Sequence, residues 1–301
     1  MPRPAHLYLH IGLPKTGTTA WQNWADTHRT VLRTRGLDYP EAMTVTNSPN
    51  HSIIHKDMMQ GHVSQLRALL DGGRCDKMLL SDEGLSNTMY LCPETGFAAF
   101  RDATRGIEVT CILCVRAADE WLASMYGQSL FNRSNPRLGN GTAEPIEVFA
   151  QRPRILALLD HDRLAADAVA RFGAAGCRII DYGDTAFPAF CAAMGLDTSG
   201  LPPPERANVS VTKAAKSIMR QVNAMRVEED LRNGMLWLLQ QAERSSLNRL
   251  RRAGRPDVAL SAALSSVVAA LRPENEEERD LTGQLRTALA AWAKSFTARE
   301  P

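Results

Sequence analysis

Apolar side chains at Leu7, Leu9 and Ile11 alternate with their neighbours and predict a short strand near the start of the chain. A turn of small residues, Gly12 to Thr19, follows it. From Thr18 the period lengthens to that of an amphipathic helix, with Trp21, Trp24, Ala25, His28, Val31 and Leu32 at helical spacing. Gly36 ends this run in the manner of a C-terminal cap. Apolar runs at Lys77–Ser81 and Ile107–Arg116 predict buried strands, Cys177–Tyr182 predicts another strand, and Leu37-Asp38-Tyr39 predicts a shorter one closed by Pro40. Helical patterns lie between them, at Val63–Leu70, Thr95–Thr104, the stretch after Arg116 with Trp121, Leu122, Met125 and Tyr126 inward, Pro145–Phe172 and Phe187–Met194. Residues 41–61 and 132–143 are polar and irregular and read as loops.

Strands separated by helices predict β-α-β units and therefore a three-layer α/β fold, a parallel sheet with flanking helices. In such sheets ligands sit beyond the carboxyl ends of the strands. Lys15, Glu83, Arg116 and Tyr182 lie at or just past predicted strand ends, which places them around one crevice. Composition shifts at Leu201-Pro202-Pro203-Pro204, and beyond Val211 the sequence reads as helix throughout. The expected organisation is a nucleotide-binding core over 1–204 and a helical C-terminal region over 205–301, packed on the core or forming its own bundle.

Composition narrows the function classes. The 301 residues carry a formal charge of +2, so nothing global argues for nucleic acid, and anion binding must come from local sites. No apolar run approaches the roughly 18–20 residues of a membrane helix. The segment before the first strand lacks a secretory h-region, so a cytoplasmic location is expected. Six scattered cysteines read as free thiols. Cys111 and Cys114 have C-x-x-C spacing, but on a strand they point to opposite faces, and no second Cys/His pair accompanies them.

Strand, small-residue loop and helix in that order build an anion site. Backbone N–H groups converge where Cβ bulk is absent, and the helix start adds further donors and a positive dipole end. Lys15 supplies a point charge, and Thr16, Thr18 and Thr19 supply hydroxyls. The loop is not a Walker A sequence: Gly12 and Gly17 have that spacing, but Thr18 follows Gly17 and the lysine lies inside the loop at position 15. Pro14-Lys15-Thr16-Gly17-Thr18-Thr19 resembles the 5′-phosphosulfate loop of sulfotransferases that use 3′-phosphoadenylyl sulfate (PAPS) as donor. Arg116 at a strand end, with Ser124 eight residues later, is similar to that family's 3′-phosphate site. Ile179-Ile180-Asp181-Tyr182 resembles a segment whose tyrosine lies near the donor's adenine, although Gly183 replaces the usual acidic residue. Arg206-Ala207-Asn208-Val209-Ser210 looks like a segment of bacterial sulfotransferases, and the R-K-G motif of animal cytosolic members is absent.

The resemblance implies a P-loop-related sulfotransferase fold. It also implies transfer of a sulfuryl group from PAPS to a hydroxyl or amine of a small-molecule or carbohydrate acceptor, with 3′,5′-adenosine bisphosphate (PAP) as product and no metal required. Lys15 and the loop would stabilise the leaving phosphate. Glu83, at a strand end, is the expected general base, with His51 and His55 next, as base or acceptor-binding groups. His10 is expected at the sheet edge, His28 in the core and Asp82 in a turn. Two other readings stay open: a P-loop nucleotide kinase, and a non-catalytic nucleotide-binding member of the fold.

Overall fold

The computed structural model describes residues 3–41, 49–205, 212–225, 228–250, 258–271, 273 and 275–297. The segment Arg206–Ser210, with its resemblance to bacterial sulfotransferases, lies outside the described residues. The chain divides into two compact units, Met1–Trp121 with Arg152–Asn208, and Leu122–Gln151 with Val209–Pro301. Residues 122–151 thus group with the C-terminal helices.

The first unit is built on five parallel strands: β1 (His6–Gly12), β2 (Leu37–Asp38), β3 (Lys77–Ser81), β4 (Glu108–Val115) and β5 (Gly176–Asp181), in the spatial order β2-β3-β1-β4-β5. β1 is therefore the central strand. Both its faces are covered, which is why His6–Gly12 reads as a nearly unbroken buried run. Against expectation, His10 sits in the middle of the sheet and not at its edge, because that edge is set by strand order. β5, a true edge, leaves Ile179 exposed.

Helices intervene at α1 (Thr18–Thr27), α2 (Arg29–Thr34), α3 (Ile53–Met59), α4 (Ser64–Asp71), α5 (Gly84–Thr88) and α6 (Glu94–Ala103). Further along lie α7 (Ala118–Phe131), α8 (Ile146–Ala150), α9 (Pro153–Leu159), α10 (His161–Phe172) and α11 (Ala186–Ala193). One sheet face, carrying Tyr8, Leu79, Ile112, Cys114 and Ile180, packs on Trp21, Trp24 and Leu32 of α1 and α2 and on Phe190 and Cys191 of α11. By strand alternation Leu7, Leu9, Cys111 and Leu113 face the other way. There α10 packs on β4 and β5, and Phe172 meets Phe97 and Phe100 of α6 edge to face. The result is an α/β architecture consistent with three layers.

Two details depart from the periodic reading. The first helix breaks at His28, which ends α1, so that His28 is only partly buried and its Nδ1 lies 2.8 Å from the Trp24 carbonyl. Part of the expected loop 41–61 is the helix α3. Asp57 on α3 accepts from the Gln65 amide at 3.0 Å and so caps α4.

The second unit holds the later part of α7 together with α8, α12 (Lys213–Ala224), α13 (Glu229–Leu250), α14 (Val258–Ala270) and α15 (Glu276–Thr297). α12 packs on α13 and α15, and α14 joins α13 to α15, burying Ile218, Met219, Met235, Leu239, Leu264, Leu285 and Trp292. Asn223 ties α12 to the Leu130 and Thr142 carbonyls at 2.9 and 3.0 Å. No helix among the described residues is long and apolar enough to cross a membrane.

Packing of α3 on α6 depends on Gly96, where an added Cβ would lie 2.2 Å from the Met58 carbonyl oxygen. Backbone cannot yield as a side chain can. Gly96→Ala is expected to destabilise the protein by about 1–3 kcal/mol, read as a lower urea midpoint at unchanged slope.

Candidate functional site

β1 ends where the chain must pass between two neighbours. An added Cβ at Gly12 would lie 2.6 Å from Ser86 Oγ and 3.3 Å from Glu83 Cα and Cβ, so only glycine lets the turn after β3 approach so closely. On the other side the Leu13 amide donates to the Cys114 carbonyl at 2.8 Å, and Trp121 Nε1 donates to the Pro14 carbonyl at 2.9 Å. The buried Thr16 hydroxyl donates to the Leu13 carbonyl at 2.6 Å, closing the loop on itself. Its role is therefore to shape the loop. Lys15 holds the left-handed conformation at φ 70°, uncommon for a residue with a side chain, and Gly17 holds it at φ 77° as the residue before α1. Gly17, the residue before α1, brings no capping side chain, and the first turn of the helix carries no acidic residue. A helix start of this kind favours an anion. Thr18 is buried there and Thr19 half-buried.

The carboxyl ends of β4 and β5 bring two more expected residues to this loop. Tyr182 follows β5, and its amide donates to the Val115 carbonyl at 2.7 Å. Its ring edge lies 3.0 Å from where a Cβ on Gly17 would be. The Arg116 guanidinium stands 4.8 Å from the centroid of the same ring. Arg116 Nε also donates to Glu120 at 2.8 Å, so two contacts fix its side chain. Loop, tyrosine and arginine thus form one continuous assembly. Ser124, expected to partner Arg116, lies half-buried on α7 in the part of that helix assigned to the second unit.

Glu83 follows β3 on the opposite side of the loop from Arg116, as the strand order β3-β1-β4 requires. Gln22 of α1 donates through Nε2 to Glu83 Oε2 at 2.8 Å and to Ser81 Oγ at 3.0 Å. Ser81 Oγ in turn lies 2.7 Å from His10 Nδ1. This buried chain fixes one carboxylate oxygen of Glu83. Burial pushes His10 down to about 3, so its ring is neutral.

The two histidines of the polar segment have different surroundings. His51 is wholly buried: Nε2 donates to the Pro40 carbonyl at 3.1 Å, Nδ1 accepts the Ser81 amide at 3.1 Å, and the ring meets Tyr39 edge to face. Burial first, opposed by those backbone bonds, holds it down to about 4. With both nitrogens engaged, His51 staples its segment to β3. His55 is one-fifth exposed, and its Nδ1 lies 3.0 Å from both carboxylate oxygens of Asp82, which also accept the His55 and Gly84 amides. Asp82 is therefore an orienting group for His55 as well as turn chemistry.

The structure gathers the loop 14–19, Arg116, Tyr182 and Glu83 at the carboxyl ends of adjacent strands. Sequence reasoning missed Gln22, Ser86 and Trp121, whose contacts span 61 or 107 residues in two of the three cases and carry no local signature. Among the described residues no group of three or more His, Cys, Asp and Glu is arranged to hold a metal ion. Searches found no matching protein-family model, no matching curated protein and no matching solved structure.

The two buried rings make stability depend on pH. Both are neutral when folded, with depressed values of about 3 and about 4, and titrate near 6.5 when unfolded. Below about 6.5 the unfolded chain binds protons that the folded chain does not, so stability falls with pH, by up to about 1.4 kcal/mol per pH unit per ring. Urea midpoints measured between about pH 7.5 and 4.5 should show this loss. His10→Asn should reduce the slope by about the share of one ring, up to about 1.4 kcal/mol per pH unit, leaving that of His51, whereas an unchanged slope would mean that the His10 ring protonates in the folded state.

Proposed function

We propose that the protein is a sulfotransferase that transfers the sulfuryl group of PAPS to a hydroxyl or amine, with a small molecule or carbohydrate as acceptor. One observation carries the reading: Tyr182 joins Gly17 of the loop to Arg116, so that two separate anion-binding features share one wall. A site with a helix start, a loop lysine and a second, strand-end arginine suits a nucleotide bearing phosphate groups at both ends of its ribose. The glycine at position 17 supports the fit, since its left-handed φ of 77° suits glycine and the Tyr182 ring packs 3.0 Å from where a Cβ would lie.

When bound, PAPS supplies an activated sulfuryl group on the 5′-phosphate. The remaining work belongs to the chain. Lys15 and the amides of Gly17 and Thr18 are assigned to that phosphate, where they stabilise charge as it develops on the leaving oxygen. Arg116, held by Glu120 and Tyr182, is assigned to the 3′-phosphate. Tyr182, two-fifths exposed, offers ring surface to the base.

The acceptor side falls to β3. Glu83 has one oxygen fixed by Gln22 and is the carboxylate beside the loop, the position from which a proton on the attacking group is removed. His51 is not given this part, because accepting a proton would break one of its two buried bonds. His55, oriented by Asp82, is assigned to acceptor binding.

Titration calorimetry with PAP, 5′-AMP and ATP, with and without Mg²⁺, tests the reading. PAP is expected to bind without metal and in preference to 5′-AMP. Lys15→Ala and Arg116→Ala should each weaken it by about ten- to a hundredfold, the loss of a charge-assisted contact. Glu83→Gln should leave PAP affinity within about twofold while lowering sulfuryl transfer by a factor of about 100 or more. Preference for ATP with Mg²⁺, or no binding of PAP, would overturn the proposal.

A further inference from the structure

Trp121 is among the largest wholly buried side chains in the protein, and it sits five residues beyond Arg116 in the first turns of α7. Packing explains its apolar body. It does not explain its one polar atom. An indole has a single donor, and Trp121 directs it to the carbonyl of Pro14, 107 residues away and inside the loop, at 2.9 Å. The immediate neighbour of that carbonyl is Lys15.

The peptide plane makes this contact consequential. In a trans peptide the carbonyl of one residue and the N–H of the next point in opposite directions. Holding the Pro14 oxygen toward Trp121 therefore turns the Lys15 N–H away from Trp121 and restricts the rotation that sets where the Lys15 side chain begins. Lys15 needs such restraint, because its left-handed conformation at φ 70° is disfavoured for a residue with a Cβ. The same short connection from β4 into α7 carries Arg116 and its partner Glu120. The start of α7 thus contacts the loop at Pro14 through Trp121 and the arginine through Glu120.

We propose that Trp121 is a positioning residue for anion binding: its indole N–H holds the Pro14–Lys15 peptide so that the Lys15 side chain engages a phosphate group. The inference rests on the donor-site reading above. Trp121→Phe keeps an aromatic ring in the core and removes only the donor and part of the bicyclic bulk, leaving the buried Pro14 oxygen without its partner.

Titration calorimetry with PAP, at a temperature where each variant is folded, provides the test. Trp121→Phe should weaken PAP by about tenfold, the cost of an orphaned buried acceptor expressed in the loop. In a Lys15→Ala background the same change should cost no more than about twofold, because the group it positions is already gone. Destabilisation elsewhere would not produce this loss of additivity. Equal PAP affinity in Trp121→Phe and the parent, or a full tenfold loss in the Lys15→Ala background, would overturn the inference and leave the donor-site reading intact. Failure of the unaltered protein to bind PAP would instead remove that reading, and this inference with it. If Trp121→Phe does not fold, NMR of the unaltered protein decides: the Trp121 indole N–H resonance should shift as PAP saturates the site, and a stationary resonance would sink the proposal.

Discussion

At the end of β1 the chain has to turn within a space bounded by Glu83 and Ser86 on one side and by Cys114 and Trp121 on the other. That close approach governs the rest of the site. It demands glycine at position 12, draws the turn after β3 against the loop, and anchors the loop to both the end of β4 and the start of α7. The anchored loop groups, the Leu13 amide and the Pro14 carbonyl, are main-chain, held by the Cys114 carbonyl of β4 and the Trp121 indole of α7, so the loop is shaped by the sheet and the helix start together. Its side chains are correspondingly divided: Thr16 is spent inside on the Leu13 carbonyl, while Lys15 adopts the strained conformation that the turn imposes.

The carboxyl ends of the strands are also where the unit keeps its buried polar groups. His10, Ser81, Gln22 and Glu83 form one hydrogen-bonded chain, Asp82 accepts from His55 and Gly84, and His51 bonds the backbone of both Pro40 and β3. Hydrogen bonds between such groups restrict the arrangements open to them, although His10 Nε2, at the far end of the chain from Glu83, is buried with no partner among the described residues. This concentration at the carboxyl ends of β1 and β3 fixes the geometry of Glu83. It also explains why the neighbouring histidines serve different ends, His10 and His51 as neutral structural rings and His55 as a partly exposed, oriented one.

Much of this end of the sheet is legible in sequence because a strand terminus is a local feature. Lys15, Glu83, Arg116 and Tyr182 each follow an apolar run, and parallel strands put such positions on one side of the molecule. The partners of these residues are not legible in the same way. Gln22 reaches Glu83 across 61 residues, Trp121 reaches Pro14 across 107, and His55 reaches Asp82 across 27. Gln22 and Trp121 look in sequence like ordinary helix material, and His55 lies in a segment that reads as loop. Gln22 lies on an amphipathic helix, Trp121 on an aromatic helix face, and His55 in a polar stretch too short to show a period, which turns out to hold α3.

Periodicity alone determined that the chain contains strands alternating with helices, followed by a helical C-terminal region, since burial of one face or both leaves its spacing in the sequence. Small residues between a strand and a helix marked the tight loop after β1 for a similar reason, because a Cβ at Gly12 would meet Ser86 and Glu83. Only tertiary structure decided that β1 is central and His10 buried in mid-sheet, that residues 122–151 group with the C-terminal helices, and that a single tyrosine bridges the loop to Arg116. Strand order and long-range hydrogen bonds are set by which surfaces fit together. A pattern that records only whether each residue prefers water or the interior does not encode that fit.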